Sequence, residues 1–152
     1  MAEKSKIFGD SAMSLGFLTN RIGRLLSIQL KNRIGKEEFD MPGHCIGILA
    51  DLWEKDGIIQ QDLAISIVKD KATIARALEL MERKNIIVRI KDEKDKRNKK
   101  IFLTYKGTQL QNTVLFHGQG MMKDAKASIP DEEMEVCLKV LGKVYNNLKN
   151  KL

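Results

Sequence analysis

The sequence predicts a mainly α-helical fold with one small β-hairpin, and three observations carry that expectation. The first is a pair of short helical periods set back to back: Leu63, Ala64 and Ile67, then Ile74, Ala77, Leu78 and Met81. Only Val68-Lys69 separates their apolar ends, which is the layout of a helix-turn-helix. The second is a change of period. Ile86-Ile87-Val88-Arg89-Ile90 and Lys100-Ile101-Phe102-Leu103 are β-branched and apolar and read as strands. The segment between them, Lys91 to Lys99, is polar throughout. A helix-turn-helix followed by such a hairpin is a winged helix. The third observation is charge. Between Lys69 and Lys100 twelve bases stand against six acids, so +6 of the chain's net +7 falls on this module. A merely solvated face would scatter its charge. Positive charge gathered on one module is the footprint of phosphate binding.

The elements follow in order. Met1 to Gly9 is short and polar and is expected to be loose. Asp10 or Ser11 can cap a first long helix. Along it Leu15, Leu18, Ile22, Leu25, Leu26, Leu30 and Ile34 recur at helical spacing. Gly16 and Gly23 cost about 1 kcal/mol each against Ala inside a helix, which implies that something packs close to them. Gly35 is the expected stop. Asp40-Met41-Pro42 opens a second helix, with Pro42 in its first turn and Ile46, Ile48, Leu49, Leu52 and Trp53 on its apolar side. Gly57 can end it, and Ile58-Ile59 connects to the helix-turn-helix. Asp70 precedes the second short helix and can cap it. Thr104 caps the helix that leaves the hairpin, which carries Leu110, Val114, Met121, Met122 and Ala125. Gly118 and Gly120 fall inside that pattern, where a kink is expected. Pro130 marks a break. Asp131, Glu132 and Glu133 then fill the first turn of a last helix and favour its dipole. Met134, Cys137, Leu138, Leu141, Tyr145 and Leu148 form its apolar stripe.

At 152 residues the chain reads as a single domain, 1–152, with the winged helix over 42–103 and flanking helices over 10–36 and 104–152. A chain of this size can bury about 68–70% of its unfolded surface and needs no staples. An apolar fraction of 43% and a charged fraction of 31% suit a soluble, helix-rich protein. No run approaches the roughly 18 apolar residues of a membrane span. Met1 to Phe8 lacks the apolar core of a signal peptide, so a cytoplasmic location is expected. Cys45 and Cys137 are the only cysteines and lie far apart in sequence, which reads as two reduced thiols rather than a zinc site or a redox couple. There is no Gly-rich phosphate loop, no metal-ligand cluster and no nucleophile with an evident base. An enzyme is therefore not expected, nor a cofactor.

The chain resembles the MarR family, the multiple-antibiotic-resistance-type regulators. The matching pieces are Leu63-Ala64, Asp70-Lys71-Ala72-Thr73, Leu78-Glu79-Leu80-Met81-Glu82-Arg83-Lys84, Asp95-Lys96-Arg97 and Leu103-Thr104-Tyr105-Lys106-Gly107. The resemblance covers the middle third strongly and the flanking helices in outline. It implies a homodimeric transcription regulator that binds double-stranded DNA, whose affinity is set by a small molecule or by thiol oxidation. Two positions depart from the family pattern. Ile59 stands where the family has Thr or Ser before a helix, so the usual cap is missing. Asn85 stands where the family has Gly after the second short helix. Asn also tolerates the left-handed conformation a helix end needs. The flanking helices can simply pack on the winged helix. The resemblance favours their intertwining with a second copy as dimerisation helices, and closed twofold dimers are the commonest oligomers.

Candidate site residues follow. Lys71, Thr73 and Arg76 lie on the expected exposed side near the start of the second helix, where a recognition helix touches base edges. Arg can bridge guanine, and Thr can meet a phosphate or a thymine methyl. Arg97 is the expected minor-groove probe, because a narrow groove attracts Arg. Asp95 lies two residues earlier on the same side of an extended chain and can orient that guanidinium. Arg89, Lys94, Lys96 and Lys99 are expected to add phosphate affinity without sequence choice. Arg21, Arg24 and His44 sit beside apolar residues on the first two helices, a mixture that can hold the carboxylate and ring of a small aromatic or apolar acid. Ordinary surface and core positions explain those three residues equally well. Adjacent His44 and Cys45 point to different sides of a helix, so they are poor joint metal ligands. Cys45 as an oxidation sensor is the weaker alternative, since the family's peroxide-sensing branch carries its cysteine near the first helix. The expected function is a repressor on a palindromic promoter site. The alternatives are a winged helix used for protein–protein contact and a thiol-based redox-sensing regulator.

Overall fold

A computed structural model of the chain describes residues 11–151, with side chains from Ser14 onward. The expected loose segment from Met1 to Gly9 and the candidate cap Asp10 lie outside the described residues. Six helices and three strands follow in order: α1 (Ser11–Ile34), α2 (His44–Glu54), β1 (Ile58–Ile59), α3 (Gln60–Ile67), α4 (Lys71–Arg83), β2 (Ile87–Lys91), β3 (Lys99–Leu103), α5 (Tyr105–Ala125) and α6 (Asp131–Lys149). The described chain forms two compact units, one ending at His117 and the other starting at Gly118.

The first unit is the winged helix with α1 before it and most of α5 after it. α1 stops where expected. Gly35 takes φ +85°, a conformation that costs glycine little and other residues much. The chain turns there, with Phe39 N–H donating to the Gly35 carbonyl at 3.0 Å, and Phe39 and Met41 drop into the core. α2 begins at His44 rather than within Asp40-Met41-Pro42. Pro42 stands just before the helix, and its carbonyl accepts from Cys45 N–H at 3.0 Å. Ile48, Leu49 and Leu52 of α2, Leu63 of α3 and Ile74, Leu78 and Met81 of α4 are buried together with Ile87 and Ile101 of the hairpin. The recognition-type helix α4 thus rests on the same apolar core as the wing.

The hairpin gains a third strand. Gly57 at φ +76° turns the chain so that Ile58 and Ile59 pair antiparallel with Ile101 and Lys100 of β3. The sheet order is β1-β3-β2. β2 and β3 pair from Ile87 with Leu103 through Lys91 with Lys99. This corrects the expectation that Ile58-Ile59 merely connects. α3 has no side-chain cap at Ile59, as expected, but β1 fixes the residue that precedes it. Among the described residues nothing within 4 Å meets a Cβ added at Gly16 or Gly23, so the close packing expected there is not made by them.

The second unit holds the end of α5 and α6. α5 runs unbroken through Gly118 and Gly120. The chain then turns at Ser128, φ +64°, and Pro130 precedes α6, whose first turn is Asp131, Glu132 and Glu133. No residue of α6 is buried.

Candidate nucleic-acid interface

The start of α4 is organised by one carboxylate. Asp70 caps the helix, accepting from Thr73 N–H at 2.8 Å through Oδ1. Its Oδ2 accepts the Thr73 hydroxyl at 2.6 Å. With its hydrogen committed, that hydroxyl oxygen accepts from Arg76 Nη2 at 3.3 Å. The three residues form a relay from cap to guanidinium. The hydrogen bonds from Thr73 hold the Asp70 carboxyl below its ordinary range, with Arg76 adding a smaller pull. The relay changes what Thr73 can offer DNA. Its hydroxyl is engaged on both counts, which leaves its methyl group free for a thymine methyl. Lys71 and Arg76 are exposed.

The wing loop is built by two more aspartates. Asp92 N–H donates to the Asn98 carbonyl at 3.0 Å, and Asn98 N–H to the Asp95 carbonyl at 2.9 Å. Asp92 Oδ1 accepts from Lys94 N–H at 3.0 Å and lies 3.6 Å from Lys100 Nζ. Asp95 Oδ1 accepts from Arg97 N–H at 3.1 Å and from its Nε at 3.4 Å. These are the local bonds by which Asp shapes turns. They leave the Arg97 side chain 93% exposed. A guanidinium held at one edge and free at the other is placed to enter a groove. Lys96 is exposed beside it.

Arg89 departs from its expected role as a free phosphate contact. Its Nε and Nη2 donate to Glu82 Oε2 at 2.9 and 2.5 Å, and its backbone N–H donates to Glu82 Oε1 at 3.3 Å. The Arg89 side chain is only 18% exposed. Glu82 is on α4 and Arg89 on β2, so the pair ties the recognition-type helix to the wing. The hydrogen bonds from Arg89 hold the Glu82 carboxyl below its ordinary range. Sequence reasoning missed Glu82, because the two residues meet only after the chain turns at Asn85, φ +57°.

A cleft of about 310 Å³ joins these parts. Gln60 and Gln61 from the start of α3 and Lys71 from the start of α4 line one side; Arg89, Arg97, Asn98 and Lys99 line the other. Gln60, Gln61 and Asn98 were not among the expected site residues. Amides carry no charge signal in a sequence, and only the fold brings them to the basic residues.

The expected acid-binding residues stand apart from this face of the site. Arg21 and Arg24 are exposed on α1, and His44 is half-buried at the first position of α2. A Cβ at the preceding Gly43 would run into Ser27, so α1 touches the start of α2 one turn beyond Arg24. Burial lowers the His44 pKa, and Lys69 lowers it further. His44 therefore offers a neutral imidazole rather than a cation. Burial pushes the Cys45 thiol up to about 11, so it holds little thiolate, the reactive form, at neutral pH. Cys137 is exposed. Among the described residues no group of three or more metal-ligating side chains is present, and no helix is long and apolar enough to cross a membrane.

Residues 46–99 match the sequence profile of the MarR family. The chain is 27% identical over 140 residues to the uncharacterized HTH-type transcriptional regulator YybA of Bacillus subtilis, covering 92% of this chain and 89% of that protein. Its structure is similar to that of a MarR transcriptional regulator from Methanosarcina mazei Go1, at a TM-score of 0.82 and 24% identity over 91% of this chain and 98% of that one. It is also similar to a MarR family regulator from Listeria monocytogenes complexed with 26mer DNA, at a TM-score of 0.75 and 22% identity over 95% and 92% of the two chains.

Proposed function

We propose, from the premise that the winged helix over residues 46–99 is of the MarR family, that this chain is a DNA-binding transcription regulator acting in the cytoplasm as a homodimer on a palindromic promoter site. The observation that carries the reading is one basic cleft that joins exposed Lys71 at the start of α4 to exposed Arg97 on the wing, with exposed Arg76 further along the same helix. A helix that reads the major groove and a wing that probes the minor groove need that spacing held. The Glu82–Arg89 pair supports it. In this reading Thr73 and Asp95 act beside those three cations, Lys96 adds phosphate affinity, and Arg89 positions the wing. A protein–protein module needs no such concentration of positive charge. The thiol-based alternative is weakened by the high pKa of the buried Cys45 thiol.

In this reading the protein occupies its promoter as a repressor. In the same reading a small aromatic or apolar acid, held near Arg21, Arg24 and His44, lowers DNA affinity. A ligand can do this only by its differential affinity for two states of the protein, and DNA must weaken acid binding by the same factor. The test of DNA binding is fluorescence anisotropy with the chain's own upstream duplex across a salt series. Each phosphate neutralised is expected to add about −0.9 to the log–log slope. A flat dependence overturns the reading. Titrating salicylate with and without bound duplex tests the effector, and identical affinities in the two arms overturn that coupling.

A further inference from the structure

We propose that the cleft between the start of α3, the start of α4 and the wing is the seat of a single DNA backbone phosphate, which bridges the two groove-reading elements. The inference rests on the DNA-binding reading above and adds a site to it. Pockets for small organic ligands are lined mostly by apolar and aromatic side chains. The residues that line this cleft of about 310 Å³ are three amides and four cations, whose aliphatic stems share the surface with their polar heads. Lys71, Arg97 and Lys99 bring positive charge to it, and Gln60 and Gln61 bring neutral donors. That donor set suits a singly charged phosphodiester better than a carboxylate with a ring attached.

The placement gives the site its use. Lys71 belongs to the base-reading helix and Lys99 to the wing strand. An anion seated between them is held by both elements at once. Arg89 lines the cleft with two of its N–H groups already committed to Glu82. That carboxylate offsets its charge, and the pair fixes the wall of the cleft. The seated phosphate then sets the register between what α4 reads and what Arg97 reads. Phosphate contacts position a protein on its duplex in this manner, while base contacts specify.

The test uses the full chain and a short duplex that the chain itself selects from a random pool. Each phosphate in the duplex is replaced in turn by an uncharged methylphosphonate. Affinity is measured for the unaltered protein, for Lys99→Gln and for Gln61→Ala. At one phosphate per half-site, the replacement is expected to weaken the unaltered protein about tenfold, the scale of one hydrogen-bonded charge contact. The same replacement is expected to cost each variant clearly less than it costs the unaltered protein, because each variant has already lost one donor of the seat. At every other contacted phosphate the losses of variant and replacement multiply. Thermal unfolding of the two variants at the wild-type temperature confirms that they are folded. Losses that multiply at every position, in both variants, overturn the cleft as a phosphate seat while DNA binding stands. Failure to select any duplex overturns the DNA-binding reading and this proposal with it.

Discussion

In the proposed DNA-binding role Arg76 would meet DNA already aimed. The Asp70–Thr73–Arg76 relay restricts the guanidinium before any base is present, and less ordering entropy is then lost on binding. Replacing Thr73 by Val keeps the shape and the methyl group but removes both ends of the relay. Specific affinity is expected to fall about two- to tenfold, the worth of an ordinary hydrogen bond, with little change on random duplex; anisotropy on both checks it. Arg76→Ala is expected to cost roughly 1–3 kcal/mol on the specific site and to relax base preference, whereas Lys96→Ala weakens all sequences alike. Equal losses on both duplexes for Arg76→Ala would refute its assignment to a base edge. The Glu82–Arg89 pair makes a pH prediction. Hydrogen bonds from Arg89 lower the Glu82 pKa in the folded chain, so the unfolded chain takes up the proton first as pH falls. The pair's stabilisation is fully present above the ordinary glutamate value of about 4.3 and is lost as pH falls through the lowered folded value. Urea denaturation of wild type and Glu82→Gln is therefore expected to differ by a constant amount at neutral and mildly acidic pH. The gap should close only below that ordinary value.

Two backbone positions decide how the elements join. At Gly107 α5 begins so close to the end of the α4–β2 turn that a Cβ would collide with the Ile86 carbonyl oxygen. Thr104 N–H donates to that same oxygen at 3.0 Å, and Trp53 Nε1 donates to the Gly107 carbonyl at 3.1 Å. Backbone cannot retreat as a side chain can, so Gly107→Ala is expected to destabilise by about 1–3 kcal/mol, as overpacking does. Val68 is the opposite case. It ends α3 at φ +55°, where a β-branched residue is strained, and it is 63% exposed. Relief of the left-handed cost of about 1–2 kcal/mol outweighs the extra chain entropy of glycine, about 0.5–1 kcal/mol. Val68→Gly is thus expected to raise the denaturant midpoint slightly, and a lower midpoint would contradict the strain. Elements with strong local signals were legible from sequence. α4 carried a helical period and a cap in Asp70, and the Asn85 turn carried its tolerance of positive φ. β1 was not legible, because two isoleucines become a strand only by pairing with β3. Phe39 and Met41 were missed as core, because the loop that buries them has no period. In the candidate cleft, Lys71, Arg97 and Lys99 carried a charge signal in the sequence, whereas the neutral amides and the long-range acid Glu82 carried none that placed them there.

At the scale of the whole molecule, two helices carry exposed apolar stripes among the described residues. Leu15, Leu18, Ile22 and Leu25 of α1 are all exposed, at steps of three, four and three residues. Leu138, Tyr145 and Leu148 of α6 repeat that pattern with Leu141 between them, and Leu138 is 60% exposed. Single exposed apolar residues are ordinary. Stripes at helical spacing on two long helices are not, and they mark an interaction surface. The open space around Gly16 and Gly23 belongs to the same argument. These glycines cost helix stability without serving any contact among the described residues, which suits a helix that another helix approaches closely. A second copy is the occupant that the proposed function calls for, since it would place two recognition helices to meet half-sites roughly 34–36 Å apart, or a multiple of that. Linking two binding events can raise overall affinity by about 10²–10⁴ over one half-site. Sedimentation equilibrium is therefore expected to show a dimer at micromolar concentration. Leu138→Lys, and separately Ile22→Lys, should shift it to monomer. Both variants should then lose about a hundredfold or more on a duplex with two half-sites, yet bind a single half-site as wild type does. A wild-type monomer would overturn the dimer. Equal losses on the two duplexes would mean that these substitutions damage the reading head itself, and the stripes would then need another occupant.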